Sequence, residues 1–147
     1  MKTKSTPLVA KILGYCGILP FAILAVLHLY GGQQLKITAL QGFLAYGAVI
    51  LSFLGGIRWG VASLDDRFKG VAPFISVVPS LWAFVCLLWP EPIQAVWGLL
   101  AGFALVGIAD RWFPAPGSTG WMVTLRTRLT SGVIACHGIL LASLTLG

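Results

Sequence analysis

The sequence predicts an all-α integral membrane bundle of five transmembrane helices, and three observations carry this. Hydrophobic residues make up 58% of the chain and charged residues 10%, whereas a soluble domain carries about a quarter charged. Apolar runs of roughly 17–22 residues recur, each long enough to cross bilayer hydrocarbon as a helix. No run alternates as barrel strands do, and lipid tolerates only helices and closed barrels. The mean hydropathy is +0.92. No polar stretch is long enough for a separate soluble domain, so residues 1–147 are expected to form a single polytopic domain.

The first span is expected over about 12–30, after a short basic start. That start before an apolar run could mark a signal peptide. The run is too long for an ordinary one, however, and ends in LHLYGG without a small-x-small site. Pro20 should kink it, because it removes a backbone hydrogen bond. The second span, about 39–59, is uncharged until Arg58 and carries Ala48, Ser52, Gly56 and Gly60 at every fourth position. Such spacing lets another backbone approach one helix face, so Gly56 is expected at a helix contact. Arg58 and Trp59 read as a surface anchor pair.

Asp65, Asp66, Arg67 and Lys69 make the next loop the most charged. Pro73 suits the first turn of a third span, about 73–89, and Pro79 should bend it. The Trp89-Pro90-Glu91-Pro92 break leaves room only for an antiparallel hairpin into the fourth span, about 93–109. Gly98 and Gly102 there form a second close-approach pair. A helix should restart near Ser118 or Thr119 at the membrane surface, and the fifth span covers about 129–146. Trp82, near mid-membrane, is expected to pack between helices.

Basic residues set the expected orientation. With the N-terminus cytoplasmic and the C-terminus outside, nine of the ten Lys and Arg lie on inner segments, and only Lys36 lies outside. A reporter fused after Gly147 tests this: activity confined to the cytoplasmic side contradicts it. The net charge of +6 thus reflects topology and attraction to anionic headgroups on the cytoplasmic side, not nucleic acid.

Few residues point to chemistry. Cys16, Cys86 and Cys136 stand alone in apolar runs and read as small buried hydrophobes. No metal spacing, phosphate loop, paired carboxylates or nucleophile–base pair appears, so no metal, no cofactor and no catalytic residue is expected. His28 and His137 do not suit a shared haem, because they should lie about 24 Å and about 12 Å above the inner boundary. His28 reads as interfacial. His137 should face the interior, because an ionisable residue at depth is costly. Ser131, Ala135 and Gly138 are expected beside it, with Ile139, Leu140 and Leu144 toward lipid. Its expected partner is a carbonyl freed by Pro20 or Pro79, or Ser52. At the inner mouth, Arg58, Asp110 and Arg126 form a candidate polar site, with both arginines as anion contacts or in a solvated salt-bridge network.

LGYCGILPF at Leu13–Phe21, YGAVILSFLGGIRWG at Tyr46–Gly60, the Pro73 helix start and LRTRLT at Leu125–Thr130 occur in this order. Through them the chain resembles domain-of-unknown-function family 3429, the transmembrane protein 69-like proteins. LSFLGGxxWG is the most specific element. The chain departs at Arg58, where members often carry histidine. The resemblance implies a small multi-pass protein of bacterial inner membranes and mitochondria, and no known reaction.

The expected function is non-enzymatic: a scaffold, accessory or assembly partner in the bacterial inner membrane, contacting lipids and a protein partner or second copy. The alternative is a small transporter or channel with a polar path past His137. A membrane enzyme ranks third.

Overall fold

The computed structural model describes residues 7–62, 71–114 and 119–146, and the side chains among them save those of 61, 62, 71–74 and 146. The expectations for Lys2, Lys4, Asp65, Asp66, Arg67, Lys69, Pro73 and Ser118 concern positions or side chains outside these. The protein is an all-α membrane bundle. Its helices are α1 (Leu8–Cys16), α2 (Leu19–Tyr30), α3 (Gln33–Ala62), α4 (Val71–Leu87), α5 (Pro92–Trp112) and α6 (Gly120–Leu146).

Among the described residues four stretches are long and apolar enough to cross a membrane: Leu8–Tyr30, Gln33–Gly60, Pro92–Trp112 and Gly120–Thr145. The described part of α4 is shorter, 17 residues, close to the minimum of about 17 for a span. In the four spans only 17–39% of the most apolar window is buried. Most of these apolar side chains therefore face outward, which suits lipid and not water.

Local chemistry shifts several boundaries. The first span does not kink at Pro20 but breaks before it, at Gly17–Ile18, and Pro20 sits in the first turn of α2. Proline cannot donate to Cys16, and its ring would collide with that carbonyl, so a new helix begins. The break leaves the Gly17 carbonyl outside the helical ladder, and the Tyr46 hydroxyl donates to it at 2.9 Å. Pro79, by contrast, stays inside a continuous α4. α3 starts at Gln33, six residues earlier than hydropathy indicates, and α6 runs unbroken from Gly120. Polar residues there extend a helix beyond the hydrocarbon instead of ending it.

The helices close a ring in which α2, α3, α4, α5 and α6 each pack on the next and α6 returns to α2. α3 also meets α5 across the middle. Glycines mark the closest approaches. A Cβ on Gly102 would stand 2.6 Å from Leu51 of α3 and 2.9 Å from Trp82 of α4. One on Gly98 would strike Trp89 and Cys86, and one on Gly107 would come within 2.8 Å of Thr130. Trp82 lies at the α4–α5 seam: its indole N–H donates to the Gly98 carbonyl at 2.8 Å, and its ring meets Trp89 edge-on.

The expected contact at Gly56 is corrected. Gly56 and Gly60 are exposed, and among the described residues nothing comes within 4 Å of a Cβ built on either. The approach between α3 and α4 passes instead through Gly55, where a Cβ would collide with the backbone carbonyl of Ser76 and touch the Pro79 ring. Ala48 is buried and Ser52 half-buried. Each four-residue step turns the helix by about 40°, so a stripe starting inside at Ala48 has rotated outward by Gly56.

Candidate functional site

Helix ends bring three of the candidate residues together. Arg58 lies near the end of α3, Asp110 near the end of α5, and Arg126 two turns into α6. Arg58 Nη1 donates to Asp110 Oδ1 at 2.9 Å. Arg126 Nε donates to Asp110 Oδ2 at 2.7 Å, and its Nη2 lies 2.7 Å from the same oxygen. The side chains are 17%, 7% and 11% exposed for Arg58, Asp110 and Arg126. This is a largely desolvated triad, not a solvated surface network. Arg58 Nη2 also donates to the carbonyl of Phe113, the residue that ends α5, at 3.2 Å. A cation there complements the negative end of the helix.

Arg58 therefore turns inward while Trp59 beside it is 47% exposed. Arg111 and Arg128 are exposed. The triad contains two cations and one anion, so it carries a net positive charge. Arg126 Nη1 is buried and, among the described residues, has no hydrogen-bond partner.

The fourth candidate, His137, is separate from the triad. It lies eleven residues after Arg126 on the same helix, about 16 Å along its axis. It is fully buried. Three phenyl rings surround it, with centroids at 4.8 Å (Phe43), 5.4 Å (Phe103) and 5.7 Å (Phe21). Its Nδ1 lies 2.9 Å from the Val133 carbonyl one turn earlier. A carbonyl only accepts, so Nδ1 carries the proton, and Nε2 has no partner among the described residues. The bond stays within α6 and does not reach Pro20, Pro79 or Ser52, which corrects the expected partner.

Most of the expected neighbours are reversed: Ser131, Ala135 and Gly138 are exposed, whereas Leu140 is in the core and Leu144 is half-buried; Ile139 is exposed, as expected. The inward face runs Val133, His137, Leu140 and Leu141, at helical spacing.

His137→Phe is consequently expected to leave stability within about 1 kcal/mol of wild type, since the Val133 carbonyl keeps its ladder bond and an unpaired nitrogen disappears. Melting in mild detergent checks this; a loss of several kcal/mol would mean that Nε2 has a partner.

His28, in the last turn of α2, is buried and shares a 2.9 Å hydrogen bond with Ser143 that ties α2 to α6. One thiol differs from expectation. Cys16 is exposed, while Cys86 and Cys136 are buried, and all three are free thiols. Among the described residues no three His, Cys, Asp or Glu side chains group as metal ligands would.

A family model described as "Protein of unknown function (DUF3429)" matches residues 6–142. The chain belongs to this family. It is similar to transmembrane protein 69 of Xenopus tropicalis, at 34% identity, with 86% of this chain and 51% of that protein covered. It is also similar to transmembrane protein 69 of Mus musculus, at 28% identity, with 82% of this chain and 50% of that protein covered. The chain thus spans about half the length of these relatives. No solved structure matches it. Family membership and the lipid-suited exterior together make it a multi-pass membrane protein of an uncharacterised family.

Proposed function

We propose that the protein is a non-enzymatic accessory or assembly component that docks a neighbouring membrane helix, from a partner or a second copy, on the outward face of α3. One observation carries this reading: Gly56 and Gly60 form a small-xxx-small pair that points away from the described bundle. Phe53 and Val49 are exposed on the same side, about one and two turns earlier. Small residues on a lipid-facing helix allow close backbone approach, which dispersion and packing then stabilise. The same proposal sets the protein in the bacterial cytoplasmic membrane with its N-terminus inside, supported by the distribution of its basic residues. The alternative, a polar path past His137, has less support, because that ring is sealed among Phe21, Phe43 and Phe103.

Purification in gentle detergent with mass spectrometry tests the reading. A defined protein, or a second copy, is expected with the wild type and is expected to be depleted from Gly56→Leu, whose fold should be intact. Companions retained equally by both would contradict it.

A further inference from the structure

A cleft of about 180 Å3 lies among α1, α3, α5 and α6. One wall is the break at Gly17–Ile18, and the opposite wall is α3 at Ile50 and Leu54. Buried Phe103 and Val133 form its depth, while Leu13 and Phe53, 67% and 62% exposed, stand at its rim. The cleft therefore opens sideways into lipid. Nearly all of its lining is apolar, and its one charged residue is Arg126.

Arg126 is not neutralised there. Asp110 is shared with Arg58, so two guanidinium groups divide one carboxylate. Among the described residues Nη1 of Arg126 has no hydrogen-bond partner; a buried donor without an acceptor is costly, and the surplus positive charge of the triad favours an anion beside it. The cleft also has a direction. From Arg126, near the end of the bundle, to Val133 is seven residues, about 10 Å along α6 toward the membrane interior. Charge at the surface and apolar walls running inward is the polarity of a lipid molecule.

We propose that this cleft is a binding site for an anionic phospholipid from the leaflet at the Arg126 end. The lipid phosphate pairs with the Arg126 guanidinium at the cleft wall, and part of one acyl chain enters between the α1–α2 break and α3. An apolar cavity of about 150 Å3 accepts a benzene-sized group, so this cleft takes a chain segment while the rest lies along the rim. A lipid of charge −1 balances the surplus of the triad, whereas a zwitterionic lipid brings its own cation to an already positive site.

The test is native mass spectrometry of the delipidated protein titrated with phosphatidylglycerol, phosphatidylcholine or oleate. Wild type is expected to retain one phosphatidylglycerol with roughly fivefold preference over phosphatidylcholine, the scale of one lipid–cation interaction. Arg126→Gln should lose the preference. Leu54→Trp should fill the cleft and lose the bound lipid with helical content unchanged, and it decides the matter if Arg126→Gln does not fold. Equal retention of the two phospholipids, preference for oleate, or undiminished binding by Leu54→Trp would overturn the proposal.

Discussion

Asp110→Leu is expected to destabilise the protein by about 3–5 kcal/mol, the cost of removing one partner from a buried ion pair. The magnitude follows from burial. An exposed pair contributes about 0–1 kcal/mol, but the Asp110 side chain is 7% exposed and both arginines are below a fifth. Removing the carboxylate strands two guanidinium groups and cuts the ties from α5 to α3 and α6. Asp110→Asn should fall between, since its carbonyl oxygen still accepts one bond. Replacing all three residues together with apolar ones of similar volume should recover much of the loss, because stranded charge and not lost attraction dominates it. Denaturant or thermal unfolding in mild detergent measures each variant. A wild-type midpoint for Asp110→Leu would mean that the triad is solvated in the membrane and contributes little.

Two adjacent glycines on α3 should respond very differently to the same substitution. At Gly55 a side chain meets the Ser76 carbonyl, a backbone atom that cannot rotate away, and then the Pro79 ring. Gly55→Leu must therefore push α3 and α4 apart, at about 3 kcal/mol, the upper end of ordinary overpacking. At Gly56 nothing among the described residues lies within 4 Å, so Gly56→Leu should change stability by about 0.5 kcal/mol or less. The pair controls for helix propensity, since both lose the same residue type on the same helix. Equal losses at the two positions in a melting experiment would contradict the placement of α4 against Gly55.

Much of the fold was legible because lipid leaves few alternatives: long apolar runs become helices, and short polar or proline-rich breaks reverse the chain. Asp110 was legible for a similar reason, as an acid at the end of an apolar helix needs a cation. Facing was harder to read. The stripe from Ala48 to Gly60 keeps a period of four while the helix keeps 3.6, so its members leave the contact one after another. Proximity in sequence likewise misplaced the neighbours of His137. Ala135, two residues away, lies on the far side of α6, whereas Val133 and Leu140 share the face of the histidine. The aromatic enclosure was not legible, because Phe21, Phe43 and Phe103 come from three helices whose relative rotation is set only by packing. Pro20 was read as a kink, yet the helix breaks at Gly17–Ile18 ahead of it, and Tyr46 in the next span satisfies the carbonyl exposed there.

Site-specific photo-cross-linking in intact membranes tests most directly whether the outward face of α3 docks a helix. A photoreactive residue at position 56 is expected to give a discrete protein adduct. The same probe at Val78, exposed on α4, should give lipid adducts only. Lipid adducts alone from position 56, or the same protein adduct from both positions, would contradict docking on the Gly56–Gly60 face.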